Sequence, residues 1–199
     1  MKAAQITAYG GKDAVQVTSE VPKPSAANGQ VLVEVQAAAI NPFDLKVREG
    51  LVKDYIPLEL PATLGGDVAG TVAEIGDEVT GFTVGQAVYG EANAAGGYGS
   101  FAEFTTVDAG QLAPKPERID AVTAAALPLT ATSAYQALVD HMNVQPGQTV
   151  LIHGGAGGIG SMAIQIAKHL GAHVATTATE ADTDFVKGLG ADEVIDYKT

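Results

Sequence analysis

The chain has 199 residues, with 23 acidic and 11 basic side chains and a formal net charge of −12. Phosphate backbones and anionic lipid surfaces repel so acidic a protein, so we expect neither nucleic acid nor membrane binding. Cysteine is absent, which excludes disulfides, thiolate nucleophiles and Cys-ligated zinc. Apolar residues make up 46% of the chain, and the first residues lack the apolar stretch of a signal peptide. We therefore expect a globular, cytoplasmic protein.

The first 113 residues have the pattern of short strands separated by glycine turns. Apolar residues alternate over residues 30–39, at Val31, Val33 and Val35, which predicts a strand with one buried face. The other predicted strands lie at residues 2–7, 15–18, 68–75, 87–89 and 101–107. Many short strands of this kind predict a compact, partly closed β-barrel.

The second half of the chain has a different pattern. Residues 119–139 are predicted to be mostly helical with an interruption at Pro128, and strands are predicted at 149–153, 172–177 and 193–197. Helices at 159–170 and 181–189 separate these strands, which is typical of the first half of a doubly wound Rossmann sheet. A complete sheet needs about 100 more residues, so we expect a chain truncated at its C-terminus. The expected fold is α/β, with a barrel domain at residues 1–122 and an incomplete nucleotide-binding domain at 123–199.

Residues 153–160, HGGAGGIG, contain the pattern GxGxxG at Gly155, Gly157 and Gly160. The pattern follows a predicted strand and begins a predicted helix, as dinucleotide binding requires. The first glycine permits the tight turn, the second lets the backbone approach the pyrophosphate, and the third lets helix and strand pack closely. The alternative is a glycine-rich turn without a ligand, and the strand–helix context favours the dinucleotide.

The residues after the second strand bear on the choice of nucleotide. An acidic side chain there would bind the ribose 2′-hydroxyl and favour NAD. Thr179 stands where the acid usually lies, and Glu180 follows it. A threonine hydroxyl can donate to a 2′-phosphate, but no basic residue appears before Lys187. These residues alone leave NADH and NADPH open.

Several further segments follow one another in the order of a known family. They are NPFD at 41–44 with Lys46, Arg48 and Gly50, PATLGGDVAGTV at 61–72, VGQAVYG at 84–90, YGSFAE at 98–103, and AAALPLTATSA at 124–134. With the glycine loop, they resemble the zinc-free quinone oxidoreductase (zeta-crystallin-like) branch of the medium-chain dehydrogenase/reductases. The sequence departs from NADPH-binding members at Glu180, where a basic residue is usual nearby, and from the family's Gly-Asp turn at Gln86.

The resemblance implies a GroES-like barrel, a nucleotide domain, an active site in the cleft between them, and NADPH in preference to NADH. Asn41 matches the family's active-site asparagine, whose amide can donate to the acceptor or to the nicotinamide. Thr130 matches the position where a helix approaches the nicotinamide. Tyr55, in the loop after the first motif, is a candidate donor to a substrate oxygen.

The resemblance also predicts that no metal is bound. Zinc-dependent relatives place a cysteine where Asn41 stands and Gly-His-Glu where Gly65, Gly66 and Asp67 stand. Without a Lewis acid, charge that develops on the acceptor oxygen must be met by hydrogen-bond donors. The chain has only four histidines and no cysteine, so its sequence offers no plausible set of zinc ligands.

These observations predict an NADPH-dependent enzyme that transfers hydride to a quinone or an α,β-unsaturated carbonyl, acting on small molecules as a homodimer. Two alternatives stay open, namely a nucleotide-binding or accessory protein without turnover and an enoyl thioester reductase. The predicted catalytic residues are Asn41 and Tyr55, and the predicted cofactor-binding residues are Asn41, Thr130, Gly155, Ala156, Gly157, Gly158, Ile159, Gly160, Thr177, Thr179 and Tyr197.

Overall fold

The computed structural model of the protein describes the backbone of residues 1–199 and all their side chains except that of residue 95. The chain divides into two compact units, Met1–Pro128 and Leu129–Thr199. The sequence placed a boundary between residues 122 and 123, which lies inside helix α2 (Ala121–Ala125). That helix buries Ala124 and Ala125 against strands of the first unit, so the division follows the helix and does not cut through it.

The first unit contains eight strands in two antiparallel sheets. A five-stranded sheet has the order β7-β3-β5-β6-β8, and a three-stranded sheet has the order β2-β1-β4. The strands are β1 (Ala3–Ile6), β2 (Val15–Thr18), β3 (Gln30–Ala38), β4 (Ala62–Thr63), β5 (Asp67–Ile75), β6 (Ala87–Glu91), β7 (Phe104–Asp108) and β8 (Leu112–Pro114). The predicted barrel-type unit of short strands is confirmed, although the strand predicted at 101–107 begins later and β4 and β8 were not predicted.

Alternating valines form the core of this unit. Val31 and Val33 of β3 and Val72 of β5 are at most 1% exposed, and Val33 is paired with Val72 in the ladder. Gly70 lies opposite Val35, where a Cβ atom would overlap the backbone carbonyl of Glu34. Strands β3 and β5 therefore approach each other closely near the first residue of β5, Asp67.

Helix α1 (Pro42–Glu49) lies within the region that the sequence predicted as strands and loops. Asn41 precedes it as the N-cap, and Pro42 is its first residue, where a missing N–H costs no helical hydrogen bond. The Asp44 carboxylate accepts the backbone N–H of Asn41 at 2.6 Å, which satisfies a donor at the helix start. Local capping thus overrides the strand-rich character of the surrounding sequence.

The second unit is a parallel sheet of three strands with helices between them. Its strands have the order β11-β10-β9, and all pairs are parallel. The elements are α3 (Pro128–Tyr135), which continues as a π-helical segment Gln136–His141, then β9 (Thr149–Ile152), α4 (Gly158–His169), β10 (His173–Ala178), α5 (Thr183–Gly188) and β11 (Glu193–Asp196). This arrangement confirms the predicted first half of a doubly wound sheet and the predicted break at Pro128.

None of the helices in the described part of the chain is both long enough and apolar enough to cross a bilayer.

Candidate functional site

The glycine loop joins the end of β9 to the start of α4. The backbone N–H of Gly155 donates to the carbonyl of Thr177 at 3.0 Å, and that of Gly157 donates to the carbonyl of Gly154 at 2.9 Å. The N–H of Gly154 donates to the hydroxyl of Thr177 at 2.9 Å. The loop is therefore held at the end of β10 by Thr177, which accepts one of these hydrogen bonds with its carbonyl and one with its hydroxyl.

The three motif glycines differ in the space around them. A Cβ at Gly155 would overlap the hydroxyl of Thr176, and one at Gly160 would overlap the carbonyl oxygen of Gly154. A Cβ at Gly157 would meet only that same carbonyl, at 3.2 Å, and its φ of −78° is accessible to any residue. Protein packing therefore explains Gly155 and Gly160, whereas at Gly157 it accounts for one tight contact only.

The start of α4 offers unpaired backbone donors. The first intrahelical bond runs from the N–H of Ser161 to the carbonyl of Gly157 at 2.9 Å. Helix geometry leaves the amides of Gly158, Ile159 and Gly160 without an acceptor inside the helix. Together with the helix dipole, they favour an anionic group at this position. Thr130 of α3 lies beside the loop, since its methyl carbon would be 3.1 Å from a Cβ at Gly158.

The end of β10 contains a hydrogen bond that bears on nucleotide choice. The Thr179 hydroxyl donates to the carboxylate of Asp182 at 2.6 Å. A hydroxyl has one proton, so Thr179 cannot donate to a phosphate while this bond is present. The two residues are three apart and precede α5, a spacing from which the pair was predictable.

Glu180 faces a different region from Thr179. It is exposed and lines a depression of about 390 Å³ with Thr183, Lys187 and residues 192–196 of the β11 edge. Tyr197 follows β11 with 61% of its surface exposed, next to Asp196, which is the register partner of Ala178. Tyr197 and Thr179 therefore both follow the carboxyl ends of neighbouring strands, at the same edge of the sheet.

In the first unit, Asn41 belongs to a buried polar cluster with Asp44 and Asp67. The Asn41 amide nitrogen Nδ2 donates to the Asp67 carboxylate at 2.8 Å. Asn41 is 9% exposed, Asp44 4% and Asp67 0%. The sequence singled out Asn41 but did not assign a role to Asp67, because 26 residues separate the two. The match of Asp67 to a position of the zinc-binding relatives was the one available signal.

Burial raises the pKa of Asp44 above its ordinary value of 3.8, against the hydrogen bonds from the N–H groups of Asn41 and Gly66, which lower it. A raised folded-state pKa means that ionisation costs stability. This cost appears as the pH rises from the pKa of Asp44 in the unfolded state through its pKa in the folded state.

We therefore expect the free energy of unfolding of the Asp44→Asn variant to improve relative to wild type between pH 4 and pH 7, by urea denaturation. Asp120→Asn is the control, because the N–H of Thr123 lowers the pKa of Asp120. Its stability relative to wild type should stay nearly constant over this range, because the contribution of a group with a lowered pKa is complete above the unfolded value and is lost only at lower pH. An Asp44→Asn variant that follows the Asp120→Asn trend would contradict the assignment.

The structure places Tyr55 in the turn after α1 with 89% of its surface exposed. Within the described residues there is no group of three or more His, Cys, Asp or Glu side chains that could hold a metal ion. Asn41 and Tyr55 lie in the first unit, whereas Thr130, Thr177, Thr179, Tyr197 and the glycine loop lie in the second.

Two family models match the chain. The alcohol dehydrogenase GroES-like domain matches residues 27–117, and the zinc-binding dehydrogenase model matches residues 158–199. The first match covers most of the strand-rich unit, and the second covers α4, β10, α5 and β11.

Curated relatives match along the whole chain. The 2-methylene-furan-3-one reductase of Solanum lycopersicum is 41% identical over 99% of this chain and 52% of its own length. The same three figures hold for the chloroplastic NADPH-dependent alkenal/one oxidoreductase of Arabidopsis thaliana. The chloroplastic quinone-oxidoreductase QR1 of Triphysaria versicolor is 36% identical over 100% of this chain and 62% of its own length. The chain thus spans about half to three-fifths of the length of these relatives.

Solved structures agree with these matches. An alcohol dehydrogenase superfamily protein from Novosphingobium aromaticivorans superposes with a TM-score of 0.92 at 43% identity, over 100% of this chain and 59% of that one. The quinone oxidoreductase from Coxiella burnetii gives 0.84 at 35% identity, over 100% and 62%. Sequence, family models and fold agree, and the chain belongs to the quinone oxidoreductase branch of the medium-chain dehydrogenase/reductase superfamily.

Proposed function

We propose that the whole protein is an NADPH-dependent, zinc-independent oxidoreductase that transfers hydride to a quinone or an α,β-unsaturated carbonyl. The observation that carries this proposal is the glycine loop, in which a Cβ at Gly157 would make one tight contact, at 3.2 Å, and none of the overlaps found at Gly155 and Gly160. The printed names of the relatives, which include an NADPH-dependent alkenal/one oxidoreductase and a quinone oxidoreductase, support the same chemistry.

The residues present fit a dinucleotide. The amides of residues 158–160 and the open backbone at Gly157 would receive the pyrophosphate, with Ala156 in the same turn. Thr130 beside the loop would approach the nicotinamide, and Thr177, Thr179 and Tyr197 would surround the adenosine ribose. When bound, NADPH supplies the hydride, and the protein supplies position and electrostatics.

Asn41 would act on the acceptor. One of its two amide protons is donated to Asp67, which leaves the second N–H for a ligand. The second N–H would donate to the acceptor oxygen as negative charge develops there, and the exposed hydroxyl of Tyr55 is proposed as a further donor. A conjugated acceptor spreads this charge and so lowers the demand for a strong acid.

We propose zinc independence because the ligand positions of zinc-dependent relatives hold Asn41, Gly66 and Asp67, and the asparagine amide is a poor zinc ligand. The carboxylate of Asp67 already accepts a hydrogen bond from that amide. A homodimeric state and a cytoplasmic location remain predictions.

The test uses the full-length protein and the loss of reduced-nicotinamide absorbance, with a quinone, an enone and an enoyl thioester as acceptors. We expect turnover with the quinone or the enone, unchanged after dialysis against EDTA. Binding of NADPH without turnover of any acceptor would favour the accessory protein, and turnover of the thioester alone would favour the enoyl reductase. Stoichiometric zinc that leaves together with activity would contradict zinc independence.

A further inference from the structure

The pair of Asn41 and Asp67 is a buried carboxyl–amide contact inside the first unit. Asp67 is the first residue of β5 and is fully buried, and its Oδ2 lies 2.8 Å from Nδ2 of Asn41. A carboxylate is costly to bury and is seldom fully buried without partners. Its retention here indicates a purpose that an apolar residue of similar size would not serve.

The hydrogen bond fixes the orientation of the amide. Nδ2 of Asn41 donates and Oδ2 of Asp67 accepts, at 2.8 Å. The amide oxygen Oδ1 has no proton to donate and could not make this bond. The amide of Asn41 therefore turns its NH2 group, and not Oδ1, toward Oδ2 of Asp67.

The backbone on both sides of the pair is also held. The N–H of Asn41 donates to Asp44 at 2.6 Å, and the hydroxyl of Ser100 donates to the backbone carbonyl of Asp67 at 2.7 Å. Both of these bonds are buried. Asp67 therefore acts from a held backbone on a residue whose own backbone is held, so the remaining freedom of Asn41 lies in its two side-chain torsions.

We infer that Asp67 is a positioning residue, which orients the Asn41 amide so that a defined N–H donor is presented to the hydride acceptor. This inference rests on the proposed function. Asp67 touches neither substrate nor cofactor in this role and acts only through Asn41.

Asp67→Asn in the full-length protein tests the inference, because it keeps the shape but replaces the carboxyl group with an amide. An amide at position 67 can either accept from Nδ2 or donate to Oδ1, so it no longer selects one orientation of Asn41. We expect kcat to fall about tenfold to a hundredfold, because a misplaced catalytic group lowers the rate by such factors. The dissociation constant of NADPH should stay within about threefold, because the pyrophosphate binds at the glycine loop.

A double-mutant cycle distinguishes positioning from a general loss of stability. If Asp67 acts through Asn41, the variant Asn41→Ala with Asp67→Asn should be no slower than Asn41→Ala alone. Thr105→Val is the matched control, since Thr105 is 1% exposed and donates to the carbonyl of Tyr98 elsewhere in this unit. It should lower the unfolding midpoint but leave kcat within about twofold, because it removes one buried hydrogen bond.

A measurement on the wild-type protein keeps the inference testable if Asp67→Asn does not fold. The side-chain NH2 resonances of Asn41, assigned by their loss in Asn41→Ala, should exchange with solvent far more slowly than those of Asn28. Asn28 makes the same kind of bond, to Glu78 at 3.0 Å, but on the surface.

The possible results separate the two proposals. Wild-type protein without turnover overturns the proposed function. If the wild type is active, three results would overturn the role of Asp67 and leave the function standing. They are an equally active Asp67→Asn variant, additive effects on kcat in the double-mutant cycle, and rapid solvent exchange of the Asn41 side-chain NH2 group.

Discussion

We expect Gly157→Ala to weaken NADPH binding about tenfold to a hundredfold while leaving the fold intact, and Gly160→Ala to destabilise the nucleotide unit by about 3 kcal/mol or more. Both residues belong to the same motif, but they lack a side chain for different physical reasons. The methyl group at position 160 would overlap the carbonyl oxygen of Gly154, whereas the methyl group at 157 meets it at 3.2 Å.

The cost at position 160 arises from backbone atoms that cannot move away. The Cβ would also lie 2.9 Å from Cα of Gly155, so α4 would have to withdraw from the end of β9. At position 157 the backbone is extended, with φ −78° and ψ 171°, and an alanine adopts it without strain. The affinity for NADPH falls in Gly157→Ala because the methyl group would keep the pyrophosphate from the backbone amides of the loop. Each hydrogen bond that is lost to the charged pyrophosphate contributes about 1.5–3 kcal/mol.

Thermal unfolding and NADPH titration of both variants, in the full-length protein, separate the two effects. Gly188→Ala is the control, because a Cβ there meets nothing within 4 Å and position 188 lies in α5 of the same unit. It should bind NADPH like wild type and be equally or slightly more stable. Gly157→Ala with wild-type affinity would remove the argument for a nucleotide at this loop, and Gly157→Val should show the larger loss.

Local patterns were sufficient to predict most of the fold. The alternation of Val31, Val33 and Val35 located β3, and the apolar run at 149–153 located β9, because burial of one or both strand faces leaves a readable period. Helix α1 was missed although Asn41, Pro42 and Asp44 form a start signal. These three residues stand within strand-rich sequence, whose pattern favours strands and loops there.

The site was less predictable, since its critical contacts are tertiary. The glycine loop is contiguous, so its residues could be named from sequence. The contact of Thr176 with Gly155 and that of Asp67 with Asn41 join residues more than twenty positions apart. No spacing rule connects such residues, because their proximity follows from strand pairing and packing. The bond between Thr179 and Asp182 is local and was predictable in principle.

That bond changes the interpretation of nucleotide choice. Three carboxylates that would oppose a 2′-phosphate follow β10, namely Glu180, Asp182 and Asp184. In the structure, Glu180 is exposed at the depression beside β11, whereas Asp182 is half-buried and accepts the Thr179 hydroxyl at 2.6 Å. Asp182 therefore opposes the phosphate twice, through its charge and by occupying the one proton that Thr179 could donate.

We expect the full-length protein to bind NADPH more tightly than NADH, and substitution of Asp182 to widen this preference more than substitution of Glu180. Asp182→Asn removes the charge but can still accept from Thr179, so it should gain about fivefold in NADPH affinity, since a charge at this range is worth about 1 kcal/mol in water-like surroundings. Asp182→Ala also frees the hydroxyl for a charge-assisted bond and should gain about tenfold or more. NADH affinity should stay within about twofold in both variants, because NADH has no 2′-phosphate.

Dissociation constants of the two reduced cofactors, measured at one fixed salt concentration, test both expectations, with Glu180→Gln as the charge-matched control. Tighter binding of NADH by wild type would overturn the preference, and a larger shift in Glu180→Gln than in Asp182→Asn would assign the opposing charge to Glu180.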